Sequence, residues 1–268
     1  MTFDNAYFNL GYLDTISYRD TFVHRLDSRV KLIVSFIFVV TVVSMPKYEI
    51  SSLIPFFIYP FFLIVMGDIP FRVIAKKVLF ISPLAIFVGI FNPLIDTNEW
   101  GIIYGISVTY GFLSFLSIII KFILTTSTLL LLIASTSFPG ICYSLERLKM
   151  PQIFVIQLLF MYRYLFVLLE ESLRMIRARE SRSFGKRGRD IKTFIRLISV
   201  LLIRTLERAE RIYYAMLSRG FRGEIKVNRR LKLKASDIVF ASAFISLFLI
   251  FRHYDIVNSI GLLVFKII

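Results

Sequence analysis

The residues able to do chemistry in this chain are few and far apart. Its histidines are His24 and His253, and its one cysteine, Cys142, is more than a hundred positions from either. A zinc or transition-metal site needs three or four such ligands at short spacings, and no such spacing occurs. With one cysteine, no disulfide can form within the chain. Cys142 reads as a small apolar filler, and His253, just past an apolar run, as an interfacial polar tip. There is no Ser/His/Asp constellation, no pair of carboxylates inside an apolar run and no GxxxxGKS-type phosphate loop. Catalysis, a resident cofactor and ATP hydrolysis therefore have no residues to carry them, and belong to other chains if they occur at all.

What recurs instead is an arginine among small residues. RARESRSFGKRG (177–188) ends a helical run with Ser181, Arg182 and Ser183, then Gly185; thirty-seven residues after Arg182, YYAMLSRGFRGE (213–224) ends another with Ser218, Arg219 and Gly220. Small neighbours let a planar guanidinium reach into a groove and make several hydrogen bonds to carboxylates or helix-end carbonyls. Glycine at such a place also suits the positive φ that ends a helix. Each motif is thus either a basic helix stop or a docking tip, and these residues alone leave both open.

The elements that must present these arginines are apolar. Of 268 residues 57% are hydrophobic, with 28 Phe and a mean hydropathy of +0.73, more than a wetted surface allows. Apolar runs at 30–45, 50–66 and 78–95, one or two crossings within 102–136 (a span from about 112 to 135), and 236–251 approach the roughly 20 residues that cross a bilayer. Residues 67–77 read as a short basic loop, 96–101 as an acidic turn, and Ser236 or Asp237 as the cap of the last span. The N-terminal stretch lacks the basic start and apolar middle of a signal peptide. The expected fold is an all-α polytopic membrane protein with five or six transmembrane helices and long cytoplasmic helices.

Charge sets the orientation. The net charge is +15, and residues 138–235 hold 22 Lys and Arg against 8 Asp and Glu, leaving 11 against 10 elsewhere. Basic stretches stay cytoplasmic, so residues 1–29 and 138–235 are expected on the cytoplasmic side of the cell's inner membrane, flanking transmembrane segments 30–137 and 236–268. Much of this charge does no more than hold topology and attract anionic headgroups. Within 138–235 two long helices, one from Gln152 and one ending at Ser218, carry a polar and an apolar side, which suits rods lying along the membrane surface. Lys121 and Arg163 are full charges inside apolar runs, with no carboxylate in either run.

Several stretches together resemble a known family: RLDSRVKLI before the first span, FNPL at the end of the third, TSFPGICYSLERLKMPQ, LLFMYRYLFVLLEESLRMIRARESRSFG and ERAERIYYAMLSRGFRGE. They are similar to the transmembrane T component of energy-coupling factor transporters, of the cobalt/nickel CbiQ type. The resemblance implies that 138–235 is a coupling domain whose Ala-Arg-Gly motifs dock into two ATP-binding-cassette ATPase subunits. The matching positions are Ser181-Arg182-Ser183 and Ser218-Arg219-Gly220, with Ser in place of Ala in both and Ser183 in place of Gly in the first. It also implies a separate substrate-binding membrane subunit, the lipid bilayer as surroundings, no nucleic acid, and cobalt or nickel as cargo, or vitamins if the component is shared. A lipid-acting membrane enzyme and a membrane scaffold are the alternative classes.

Overall fold

The computed structural model describes residues 16–96, 99–103, 106–182, 191–221 and 233–253. In chain order these form α1 (Phe22–Arg25), α2 (Ser28–Val43), a 3-10 segment (Ser51–Phe57) running into α3 (Ile58–Gly67), α4 (Phe71–Gly89) and α5 (Asn92–Ile95). A hairpin of β1 (Glu99–Ile103) and β2 (Ile106–Thr109) leads into α6 (Tyr110–Ser135), followed by α7 (Phe138–Arg147), α8 (Gln152–Arg182), α9 (Ile191–Ser218) and α10 (Ala235–His253). The chain divides into two compact units: Leu13–Ser137 with Leu231–Ile268, and Phe138–Arg230 with Met1–Tyr12. Apart from the short hairpin, the fold is the expected all-α polytopic membrane one. Among the described residues, α6, α8 and α10 are long and apolar enough to cross a bilayer.

Two local expectations are corrected. The basic stretch 67–77 is not a loop: Asp68 at φ 48° ends α3, Pro70 precedes α4, and Arg72, Lys76 and Lys77 lie in the first turns of that helix. Proline is tolerated at a helix start because the first amides have no intrahelical partner anyway. Nor does Ser236 or Asp237 cap the last span from outside. The helix begins at Ala235, and Asp237 reaches back to accept the Lys234 N–H at 2.8 Å, as a capping-box acid does from the third helical position.

In the first unit, α2, the 3-10 segment, α3 and α10 meet around aromatic rings. Phe38 lies 4.9 Å from Tyr59 and 5.2 Å from Phe248, and Tyr59 lies 5.0 Å from Phe244. Edge-on and tilted contacts of this kind add to the burial itself. The Tyr59 hydroxyl, buried with its ring, is paired with the Ser35 hydroxyl at 3.0 Å. α6 packs against α2, α4 and α5. Gly111 is required there: a Cβ would lie 2.6 Å from the carbonyl oxygens of Asn92 and Asp96. Its N–H donates to Asp96 O at 3.1 Å, and the Asp96 N–H in turn donates to Asn92 O of the FNPL stretch at 3.0 Å.

Lys121, isolated inside the apolar run of α6, has a backbone task. Its Nζ donates to Met45 O at 2.6 Å, just past the end of α2. Lys31, near the start of α2, donates to Ser135 O at 2.7 Å, at the end of α6. The last carbonyls of a helix have no intrahelical donor, and bilayer hydrocarbon supplies none. A cation at a helix C-terminus also opposes the helix dipole.

The second unit is built on α8. α7 packs against its first half, where the Phe138 ring stacks on Tyr162 at 4.7 Å. α8 and α9 pack on each other less extensively than α7 and α8 do. Between them Arg204 donates to Glu171 Oε1 at 2.7 Å. α9 is amphipathic, and Ile191, Phe194, Ile198, Leu202 and Leu206 form an exposed stripe at helical spacing. Arg163 is exposed on α8.

Candidate functional site

The site is built from two helix ends. α8 stops at Arg182 and α9 at Ser218, followed by Arg219 and Gly220. Ser181 Oγ donates to Arg177 O at 3.0 Å, and Ser218 Oγ donates to Tyr214 O at 2.9 Å. Each hydroxyl is therefore spent on its own helix four residues back, a bond serine readily makes. The serine ahead of each arginine therefore presents no free hydroxyl donor.

The end of α9 closes in a full C-terminal motif. Gly220 has φ +78°; its N–H donates to Leu217 O at 2.9 Å and the Phe221 N–H donates to Met216 O at 3.0 Å. This pairing satisfies the last carbonyls and turns the chain sharply away, and the positive φ is what favours glycine. The space around Gly220 is open, with nothing within 4 Å of an added Cβ. Arg219 is thus held at a defined corner rather than on a fraying end.

Arg182, Arg219, Ser181, Ser218 and Gly220 are all exposed. Neither arginine has an ion-pair partner among the described residues. Ser183, like Gly185, lies outside the described residues. The Glu171–Arg204 ion pair joins the helices eleven residues before Arg182 and fifteen before Arg219. At 1.5 Å per residue each arginine stands on its own arm, about 16 Å and about 22 Å from the shared point. Two exposed guanidinium groups, neither ion-paired among the described residues, thus stand at the ends of different helices.

A second cluster, of which sequence reasoning saw only fragments, lies in the first unit. Asp27, Lys31 and Asp237 are all deeply buried, the least accessible being Asp237 at 2% exposure. Asp237 Oδ1 accepts the Asp27 N–H at 3.1 Å, and Asp27 Oδ1 accepts the Arg29 N–H at 2.9 Å, capping α2. Nearby, His24 Nε2 lies 3.3 Å from Ala134 O and its Nδ1 lies 2.7 Å from Thr21 Oγ1. Burial, and then the neighbouring Lys31 charge, hold the His24 imidazole below its usual range. The neutral ring fits both contacts: Nε2–H donates to the carbonyl and Nδ1 accepts from the hydroxyl. The available signal was RLDSRVKLI itself, where an acid and a lysine four residues apart open an apolar helix. Its partner Asp237 is 206 residues beyond Lys31, so no local pattern could join them.

Comparison with known proteins places this geometry in context. A family model described as cobalt transport protein CbiQ matches residues 19–230. An uncharacterized protein of Methanocaldococcus jannaschii is 31% identical over 81% of this chain and 77% of its own length. The energy-coupling factor transporter transmembrane protein EcfT of Macrococcus caseolyticus is 24% identical over 76% of this chain and 82% of its own. The protein of the same name from Bacillus subtilis is 26% identical over 75% and 81%.

Proposed function

The chain belongs to the CbiQ cobalt transport protein family, and we propose that it is the transmembrane coupling subunit of an energy-coupling factor importer for cobalt, or for nickel. It is a transport component and not an enzyme. Two ATP-binding-cassette ATPase subunits each receive one arginine: Arg182 with Ser181 and Ser183 on the α8 arm, Arg219 with Ser218 and Gly220 on the α9 arm. When ATP binding draws the ATPases together, the arms move with them. Their displacement is passed to a separate substrate-binding membrane subunit, which releases its cargo inward. The chain spans the inner membrane, with its N-terminal segment and residues 138–235 in the cytoplasm.

The observation that carries this reading is two exposed arginines at the ends of two different helices, neither with an ion-pair partner among the described residues. A planar five-donor fork is the side chain suited to such docking. A lipid-acting enzyme would need acidic or histidine groups gathered at an interface, and a passive scaffold has no need of two separate arms. The test is co-purification from a membrane expressing the whole transporter. Two ATPase subunits and a substrate-binding subunit should come down with this chain, and radioactive cobalt(II) uptake should require ATP. If the chain purifies without any ATPase, the reading fails. The name of the relatives EcfT favours one second reading, a component shared by several substrate-binding subunits. Recovery of more than one such subunit, and uptake of a vitamin in place of cobalt(II), would select it.

A further inference from the structure

We infer that Asp27, Lys31 and Asp237 form a buried hydrogen-bonded lock that ties the end of α6 and the start of α10 to the start of the first span, so that coupling motion is passed on instead of being absorbed where the chain leaves and re-enters the first unit. The inference rests on the coupling role proposed above.

The first unit runs to Ser137, and its last segment is described again from residue 233. Both ends are tied to the same turn of α2. Two residues before Ser137, Ser135 O accepts from Lys31 Nζ at 2.7 Å. Near the start of the last segment, Asp237 holds two backbone amides at once, the Lys234 N–H on Oδ2 at 2.8 Å and the Asp27 N–H on Oδ1 at 3.1 Å. His24, on α1, adds a contact to Ala134 O one residue further back. Each tie grips backbone, so it holds the path of the chain and not merely a side chain.

The chemistry is specific. A carboxylate can accept two N–H groups from different segments, one per oxygen, whereas a carboxamide presents an N–H₂ to one of them. Lys31 sets its Nζ donor against a carbonyl at the C-terminal end of α6, which has no intrahelical donor. A buried polar group of this kind gives little stability over a packed apolar one. Its better-attested use is to specify a unique arrangement, and here that arrangement is the frame from which the arginine-tipped arms start. Asp27, Lys31 and Asp237 are therefore positioning residues.

The test uses the assembled transporter in liposomes, with ATP hydrolysis and radioactive cobalt(II) uptake measured on the same sample. Lys31→Met and Asp237→Asn should still bring down the ATPases and hydrolyse ATP at close to the unaltered rate. Uptake per ATP should fall about tenfold, within the range of coupling between distinct sites. Lys31→Arg, which keeps charge and donors, should recover most of that loss. Where Lys31→Met does not accumulate, Asp237→Asn, which keeps its size and one acceptor, decides. Unchanged uptake per ATP overturns the inference. So does a parallel loss of assembly, hydrolysis and uptake in Asp237→Asn, which would make the cluster merely structural. If the unaltered chain recruits no ATPase, the coupling reading falls, and this inference with it.

Discussion

Lys31 and Lys121 cap each other's helix. Lys31 on α2 reaches Ser135 O at the end of α6, while Lys121 on α6 reaches Met45 O just past the end of α2. Fourteen residues separate Lys31 from Met45, and fourteen separate Lys121 from Ser135. Two antiparallel rods are thus pinned at two points of one register, each lysine supplying the donor that the other helix end lacks. The pins differ in surroundings, since Lys31 is buried and Lys121 is only partly buried. Lys121→Met is expected to lower unfolding stability in detergent by about 1–3 kcal/mol, the worth of a charged hydrogen bond. Lys31→Met is expected to cost about 1–3 kcal/mol as well, because the Ser135 carbonyl loses a buried charged donor. Denaturant titration of both variants and of the pair measures this.

Gly111 and Gly220 are glycines for different reasons, and their alanine variants should separate them. At Gly111 the obstacle is space, with backbone carbonyls 2.6 Å from the new Cβ. Gly111→Ala is expected to destabilise the first unit by about 1–3 kcal/mol as α6 is pushed off α5. At Gly220 there is room but the φ is +78°, so Gly220→Ala should cost about 1–2 kcal/mol and Gly220→Asn less. Hydrogen exchange at Gly220 and Phe221, whose amides close the helix end, reports the second effect.

His24 gives a pH dependence of known sign. Its folded pKa lies below the ordinary 6.5, so the unfolded chain takes up this proton first as pH falls. The contribution is fully present above about 6.5 and is lost on acidification below it. Thermal stability should therefore decline from pH 7 towards pH 5, and His24→Gln should flatten that decline. An unchanged slope in His24→Gln would contradict the neutral, carbonyl-bonded assignment.

Cys142 should be silent towards thiol reagents. It is buried in α7 with 1% exposure, and burial pushes its thiol up to about 11, so thiolate is scarce at neutral pH. Maleimide labelling at pH 7 should be slight in the folded chain and complete after unfolding. Cysteines introduced elsewhere would then be read against a clean background.

The sequence reveals what is periodic or local and hides what is joined across long separations. The helix end at Gly220 was legible because glycine after a basic helical run points to a positive φ, and α9 does stop at Ser218. The span from about 112 to 135 was legible from an unbroken apolar run, and the structure makes it Tyr110–Ser135. The turns after Gly67 were misread because Arg72, Lys76 and Lys77 resemble a loop when counted as charges, although α4 carries them without strain. The hairpin at 99–109 was missed, its five- and four-residue strands lying against a longer apolar run. The roles of Lys31 and Lys121 were invisible, since each depends on a carbonyl many tens of residues away. Neither residue type nor spacing encodes that partner.

Arm-by-arm recruitment of the ATPases tests the central claim most directly. Arg182→Ala and Arg219→Ala, singly and together, are to be compared by the ATPase recovered with the purified chain. Each single change should weaken recovery by at least 2 kcal/mol, as for an interface anchor, about a thirtyfold loss of affinity. The double change should leave no ATPase bound and no ATP-driven uptake. Full recovery of both ATPases with sustained uptake in the double variant would contradict the account.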